Sequence, residues 1–450
     1  MSIDTTRRSF LKTGLTAASL AAASPLLGTT GVLAAKSPNS KLGVAVVGAG
    51  GMGGYSVSMS LRENLVALVD IDDNRVADVM KRISKNGKGK SPGVKTYCDY
   101  RKMLDECHKD IDVVLVATPD HHHAPACIRA MRMGKAAFSQ KPLAHNIAEC
   151  YAMARTAKKH KVLTQMGNQG HCSEHIRRVC EYIWAGAVGN VQEAHAILGR
   201  NFGGSGGRPK SEPVPKGVHW DEWIGPAPMR KYHKGLHPFS WRSWRKFGTG
   251  TIGDMACHNL DALFWALRLA EAKQFTVECI AQTKGSDEMF PRDNVIRWEF
   301  GARGKMPPVK VFSYDHGKLK PKVMTETEKE HKRKFGEFTL FVGDKAMIGT
   351  DGRIMPEEKH KAFTPPPKTI PRAHGGPIED LFHAIKNGGT PCSNFVDSSA
   401  PLTSFALTGH LAMFAGVGKK LQWDVEKMKV TKAPEINKFV GREYRKGWEI

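Results

Sequence analysis

Hydrophobic residues fall along this chain in two different rhythms. In the first, short and mostly apolar runs alternate with stretches of helical length. The runs are Gly43 to Val47 (GVAVV), Leu65 to Val69 (LVALV), Ile111 to Ala117 (IDVVLVA), Ala136 to Ser139 and Lys161 to Met166. Runs this short and this apolar predict strands covered on both faces of a parallel sheet. Between them, Ala124 to Gly134 predicts a helix stopped by glycine. Asn146-Ile147-Ala148-Glu149 predicts a helix start, with an acid three residues after the capping side chain. Strand–helix alternation over residues 36–166 predicts an α/β domain with a doubly wound parallel sheet, whose ligands bind at the carboxyl ends of the strands.

The second rhythm begins near residue 167. Ser173 to Ala185 reads as a helix and Val191 to Gly199 as a strand; a Gly/Pro-rich loop then runs from Phe202 to Gly217. Trp220, Trp223, Trp241 and Trp244 follow it. Strand-like runs recur at Phe275–Thr283, Asn294–Phe300, Val309–Tyr314 and Glu337–Val342, and helices return at Pro377–Asn387 and Pro401–Val417. Successive strands without intervening helices predict a mainly antiparallel sheet in an α+β second domain over residues 167–450.

Composition alters this picture at the amino end. Thr6-Arg7-Arg8-Ser9-Phe10-Leu11-Lys12 precedes an Ala/Leu-rich segment, Gly14 to Leu27, and small residues at Val32-Leu33-Ala34-Ala35. Residues 1–35 therefore read as a twin-arginine export signal, cleaved near Ala34 or Ala35, and the product is expected in the periplasm or cell envelope. An uncleaved anchor is the other reading of that segment. No later run is long and apolar enough to predict a membrane span. The twin-arginine route carries folded proteins, which suits an enzyme that holds its cofactor tightly.

Net charge is +23, and removing the leader changes it by only about 2. No helix-turn-helix, zinc-finger or RRM pattern accompanies the charge, so nucleic acid is not the expected partner. The lysines are dispersed and read as solvated surface, with some attraction for anionic sugars or envelope surfaces. Nine cysteines without a C-x-x-C pair do not form a disulfide framework, and most are expected to be buried thiols.

The candidate chemistry starts at the end of the first strand. Gly48, Gly50 and Gly53 make G-x-G-x-x-G, with Gly51 and Met52 between them, and Asp70 closes the second strand about twenty residues on. Gly48 suits the tight turn, Gly50 the approach of a pyrophosphate, and Gly53 close helix–strand packing. The following helix offers unpaired N–H groups to phosphates, and Asp70 can accept from ribose hydroxyls. An acid there favours NAD over NADP, because it repels a 2′-phosphate. Further on, Asp254, His258 and Asp261 are spaced i, i+4, i+7 and would share one helix face. That stripe is either a site or the polar side of an amphipathic helix whose apolar side is Leu260, Leu263, Phe264 and Leu267.

Taken together, the glycine fingerprint, Gly134-Lys135 through Gln140-Lys141-Pro142, and Gly250-x-x-x-Asp254-x-x-x-His258-x-x-Asp261 resemble the Gfo/Idh/MocA oxidoreductases. GNQGH (167–171), WIGPAP (223–228), GDMACHNLD (253–261) and REYRKGW (442–448) resemble a twin-arginine-exported bacterial subgroup of that family. The resemblance runs from about Leu42 onward. It implies a Rossmann domain, an open-sheet second domain that pairs into homodimers or homotetramers, and NAD(P)-dependent chemistry on sugars or cyclitols. The family motif usually reads Glu-Lys-Pro, so Gln140 is a departure that bears on how the nicotinamide ribose is held.

On this resemblance, Lys141 steadies a developing oxyanion, His258 is the candidate base, and Asp254 orients it or holds a substrate hydroxyl. Thr118, Pro119 and His123 line the nicotinamide end, with Gln140 and Asn168. Gln169 and His171 belong to the segment entering the substrate pocket. Arg177 reaches substrate or makes a surface salt bridge. Trp241 and Arg242 stack on and hydrogen-bond a sugar, or pack in a core or interface. His121 to His123 are adjacent and do not converge as ligands, so no metal is expected. The expected activity is oxidation or reduction at a hydroxyl or keto group of a sugar, sugar acid or cyclitol. Two rivals remain: a hydrolase or lyase that recycles its NAD through oxidation and elimination, and a non-catalytic sugar-binding homologue.

Overall fold

The computed structural model describes residues 40–86, 93–315, 317–332, 334–335 and 338–450. The leader, including Arg7 and Arg8, lies outside the described residues. Within them the first rhythm becomes β1 (Gly43–Val47), α1 (Gly53–Ser60), β2 (Asn64–Val69), α2 (Asp73–Asn86), β3 (Lys95–Tyr97), α3 (Tyr100–Cys107), β4 (Val113–Val116), α4 (His123–Arg132), β5 (Ala136–Ser139), α5 (Ile147–His160) and β6 (Thr164–Met166). The strands pair in the order β3-β2-β1-β4-β5-β6, all parallel. Every residue of β1, β4 and β5 is buried, which is why those runs are so nearly apolar. Winding reverses between β1 and β4, so the loops leaving these neighbours diverge and open a crevice at their carboxyl ends. The expected helix start is present: Asn146 Oδ1 accepts from Glu149 N–H at 3.0 Å.

The second rhythm becomes α6 (Glu174–Trp184), β7 (Val191–Ile197), α7 (Trp220–Ile224), α8 (Gly250–Asn259), α9 (Asp261–Ala266), β8 (Gln274–Gln282), β9 (Asn294–Phe300) and β10 (Val309–Tyr314). Then come α10 (Lys322–Glu330), β11 (Thr339–Gly343), β12 (Met347–Gly349), β13 (Ile354–Met355), α11 (Glu357–Ala362), α12 (Pro377–Asn387), α13 (Ala400–Ala415), β14 (Lys420–Asp424) and β15 (Lys429–Val430). The sheet order is β13-β12-β11-β7-β10-β9-β8-β14-β15, open at both ends. All pairs are antiparallel except β7–β10, so the expected sheet is mixed at one seam. Glu337, where the last strand of the sequence pattern was expected to begin, lies outside the described residues, and β11 starts at Thr339. Along β9 buried Asn294, Ile296, Trp298 and Phe300 alternate with half-buried neighbours, as a one-sided sheet requires.

One helix joins the two sheets. Helix α13 is apolar around its whole circumference and is buried from Leu402 to Met413, because it packs against α5 on one side and α8 and β8 on the other. Trp298 Nε1 donates to Thr408 Oγ1 at 2.9 Å across that contact.

Two other connections matter for the site. Gly217 and His219 fold back onto the β2–α2 loop, where Asp73 N–H donates to Gly217 O at 2.8 Å and His219 N–H donates to Ile71 O at 2.8 Å. Residues 442–448 return to the first sheet, where Arg442 donates to the buried Glu149. Among the described residues, no helix is long and apolar enough to cross a membrane.

The helix face expected from Asp254, His258 and Asp261 is broken. Helix α8 ends at Asn259, and Asp261 opens α9 beyond Leu260. Asp254 and His258 remain one turn apart on α8, while Asp261 turns away to bond His171 Nδ1 at 2.8 Å.

Candidate active site

The glycine loop has the geometry its sequence demands. Gly48 has φ +89°, and a Cβ there would lie 2.6 Å from Ala117 O. A Cβ on Gly53 would lie 2.0 Å from Gly48 O, so α1 could not approach β1 with any larger residue. Above Gly50 only the mobile end of the Arg75 side chain approaches. Asp70 Oδ2 accepts from Ala49 N–H at 2.8 Å and Oδ1 from Asp72 N–H at 3.0 Å, tying the acid to the loop. Burial raises the Asp70 pKa, and these two bonds and Arg75 only partly offset it.

From this loop a cavity of about 530 Å³ runs along the strand ends. Its floor is Gly48, Gly50, Gly51, Met52 and Asp70 at β1 and β2, then Thr118, Pro119 and Asp120 after β4, then Gln140 and Lys141 after β5. Its roof comes from the other sheet's domain: Trp241, Arg242 and Asp254. Lys141 Nζ donates to Asp254 O at 2.8 Å and stands 3.0 Å from Asp254 Oδ1, which also accepts from Arg242 Nε at 3.0 Å. Burial alone would raise Asp254; the two cations outweigh it and hold the carboxyl below its usual range. The Arg242 guanidinium lies 4.2 Å from the Trp241 ring centroid.

His258 stands just behind this cluster and is not among the cavity-lining residues. Its Nδ1 is 3.2 Å from Asn168 Oδ1, and Asn168 Nδ2 donates to Cys257 O at 2.6 Å. The second bond fixes the amide's direction, so His258 Nδ1 carries the proton and Nε2 keeps its lone pair. Burial first, and then the Lys141 charge, lower the His258 pKa to about 4, leaving the ring neutral at ordinary pH.

Other expected site residues lie elsewhere. His123 is buried below the cavity, with Nδ1 on Pro142 O and Nε2 on Thr118 O; a neutral ring donates to one of them. His121 and His122 likewise bond backbone carbonyls at Trp223 and Phe247. Gln169 is exposed, outside the cavity. His171 is 5% exposed, stacked on Trp265 and bonded to Asp261. Arg177 is 1% exposed, and its guanidinium donates to the carbonyls of His171, Ser173 and Pro371. Among the described residues Arg177 makes no ion pair, and it does not line the cavity: a guanidinium that satisfies three carbonyls is holding a loop.

Three cavity features had no expectation attached to them. Trp448 lines the cavity beside Tyr100, with the Arg101 guanidinium 3.6 Å from its ring centroid. Arg75 reaches the glycine loop from α2. Asp120 is 2% exposed and accepts from Thr249 Oγ1 at 2.6 Å. Its position beside Thr118-Pro119 was a signal available in the sequence.

Burial lifts the Asp120 pKa to about 7; the Thr249 bond opposes the shift and Asp254 adds to it. The folded protein thus holds a proton on Asp120 that the unfolded chain releases near pH 4, at about 1.4 kcal/mol per pH unit. The wild type therefore loses stability from this group as pH rises from about 4 to about 7, then no more. Asp120→Asn cannot ionise, so its melting temperature relative to wild type is expected to climb through that window and level off above it. A constant difference across pH would contradict this account.

The cavity residues fit a dinucleotide. Thr118 Oγ1 and Gln140 Nε2 are buried polar atoms without a protein partner, both on residues lining the cavity between the glycine loop and Lys141. The loop and α1 N-terminus would receive the pyrophosphate, Asp70 the adenosine ribose, and Gln140 with Thr118 the nicotinamide end. Among the described residues, no group of three or more His, Cys, Asp or Glu side chains could hold a metal ion.

Comparison with known proteins agrees with this architecture. Residues 42–168 match the sequence model described as "Oxidoreductase family, NAD-binding Rossmann fold". Residues 201–300 match "Oxidoreductase family, C-terminal alpha/beta domain". The chain is 26% identical over 164 residues to levoglucosan dehydrogenase of Pseudarthrobacter phenanthrenivorans, covering 36% of this chain and 34% of that protein. It is 33% identical over 120 residues to α-N-acetylgalactosaminidase of Shewanella oneidensis, covering 26% of each. These matches span about a quarter to a third of the curated relatives' length. The fold is similar to that of the WlbA dehydrogenase from Bordetella pertussis in complex with NADH and UDP-GlcNAcA, with TM-score 0.55 and 14% identity over 84% of this chain and 98% of that one.

Proposed function

The chain belongs to the Gfo/Idh/MocA oxidoreductase family, and on that footing we propose that it oxidises or reduces a hydroxyl or keto group of a sugar, sugar acid or cyclitol with NAD. The observation that carries the reading is the meeting of Lys141, from the loop after β5, with Asp254, from α8, in the cavity that begins at the glycine loop. NAD, when bound, accepts or returns a hydride at C4 of its nicotinamide. The protein must then handle a proton and a charge. His258 is the base of this reading: Asn168 holds the tautomer that leaves Nε2 unprotonated, and because the ring does not line the cavity, substrate must reach it past Asp254, one turn earlier on α8. Lys141 steadies the oxygen as negative charge develops. Asp254, shared between Lys141 and Arg242, fixes both cations and offers an acceptor to a neighbouring hydroxyl. Trp241, buried in the apolar cluster with Trp223 and Phe247, backs the Arg242 guanidinium at the cavity wall.

Export by the twin-arginine route, rested on Arg7-Arg8 and the segment after it, and assembly as a homodimer or homotetramer belong to the same proposal. So does a tightly held cofactor, which suits an export route that carries folded proteins. The likeness to an α-N-acetylgalactosaminidase supports a second reading, a bond cleavage that consumes no net NAD. Incubating the purified protein with NAD and a panel of sugars, uronic acids and inositols separates the two. Reduced cofactor in step with a ketosugar is the expected result. Free sugar released without reduced cofactor would transfer the assignment to the cleavage reaction. Sugar binding with neither turnover nor hydride exchange would overturn both.

A further inference from the structure

Six of the nine cysteines are buried, and three are partly exposed: Cys98, Cys172 and Cys392. Cys98 lines the cofactor cavity. The other two are 220 residues apart in sequence, yet their Sγ atoms stand 3.2 Å from each other. The segment after Cys392 is already joined to β6, which precedes Cys172, by one backbone–backbone and two backbone–side-chain hydrogen bonds. Met166 N–H donates to Ser393 O at 2.9 Å, Ser393 N–H donates to Gln165 Oε1 at 2.7 Å, and Phe395 N–H donates to Thr164 Oγ1 at 3.0 Å. The segment 393–395 is thereby held against β6, and the two sulfurs stand about 1 Å beyond disulfide bond length. The hydrogen bond from Cys172 lowers the Cys392 thiol against the opposing effect of burial and raises Cys172 itself, and neighbouring His171 adds to the lowering of Cys392.

We propose that Cys172 and Cys392 are a reversible dithiol–disulfide pair, which fastens the loop carrying Asn168 to the segment 391–395. The oxidant is a disulfide of the glutathione class. The Cys392 thiolate attacks one of its sulfurs and expels one thiol, leaving a mixed disulfide. Cys172 then loses its proton, attacks the Cys392 sulfur and expels the second thiol. Overall the protein gives up two electrons and two protons, and the donor disulfide gains both. The consequence is local to the site: Cys172 follows Asn168 by four residues in one hydrogen-bonded turn, and Asn168 sets the His258 tautomer. This inference holds whichever sugar chemistry the cavity performs.

The test uses the full chain, free of added cofactor, treated with oxidised glutathione and then with dithiothreitol. Oxidation is expected to remove two of the nine titratable thiols and to yield, on non-reducing peptide mapping, a linked pair containing Cys172 and Cys392. The melting temperature is expected to rise by a few degrees, since the bond closes a very long loop, and to return on reduction. Cys172→Ser is expected to retain one glutathione on Cys392 and to form no link. Survival of all nine thiols, a link between other cysteines, or a melting temperature unmoved by oxidation would each overturn the proposal.

Discussion

Replacing Lys141 by Met is expected to lower turnover by about 10²- to 10³-fold, the loss found when one positioned donor to a developing oxyanion is removed. Methionine keeps an unbranched stem of similar length, so the packing under Pro142 and Asp254 is preserved. The buried Asp254 carboxylate is not stranded, because Arg242 still donates to it at 3.0 Å. The fold should therefore survive, with a melting temperature close to wild type. NAD affinity should also change little, since the glycine loop and Asp70 belong to other elements. A second readout distinguishes this role from a merely structural one. The Lys141 charge is part of what depresses His258, so its loss lets the imidazole hold a proton to higher pH. The acidic limb of the turnover profile should move upward in the variant. Wild-type turnover in Lys141→Met, measured with a substrate found in the sugar panel, would remove Lys141 from the chemistry.

The elements that were legible in the sequence are those whose pattern is set locally. Strands β1, β4 and β5 are buried on both faces, so their composition alone announces them, and β9 and β10 were expected at the bounds they have. The glycine loop was legible because its spacing is set within one strand–turn–helix unit, where Gly53 packs on Gly48 O, even though Gly48 also answers to Ala117 after β4. The residues that escaped are placed by distant parts of the chain. Asp120 owes its environment to Thr249, 129 residues away, and Trp448 reaches the cavity in a segment held by distant partners: Arg442 on Glu149, 293 residues away, Arg445 on Asp221 and Arg101 on Gly447 O. His171 and Arg177 misled for a related reason: a histidine, an acid and an arginine grouped near a strand end look the same in sequence whether they face a ligand or each other. The break at Leu260 decides the matter, since it turns Asp261 away from Asp254 and gives it to His171.

Replacing Arg442 by Met is expected to cost about 3–5 kcal/mol, because it leaves its partner charge buried without compensation. The Glu149 side chain is only 1% exposed, and Oε1 accepts from both Arg442 Nε and the Tyr444 hydroxyl at 2.7 Å. Oε2 accepts from His145 N–H at 3.1 Å, at the start of α5. Arg442 Nη2 also donates to His121 O at 2.6 Å, so one guanidinium ties the returning segment to the first turn of α5 and to the turn after β4. Tyr444→Phe, which removes one neutral donor to the carboxylate, should cost less, about 1.5–3 kcal/mol. Arg442→Met combined with Glu149→Gln should recover much of the loss, since no charge is then stranded. Denaturant unfolding of the four proteins checks this ordering; an Arg442→Met within about 1 kcal/mol of wild type would mean that the pair is solvated in solution. The same anchor holds Trp448 against Tyr100 and Arg101 at the cavity wall. Bound NAD should consequently leave Arg442→Met faster than it leaves the wild type, and faster than it leaves Lys141→Met. Equal dissociation rates from all three would show that the segment 442–448 covers the cavity without restraining what lies in it.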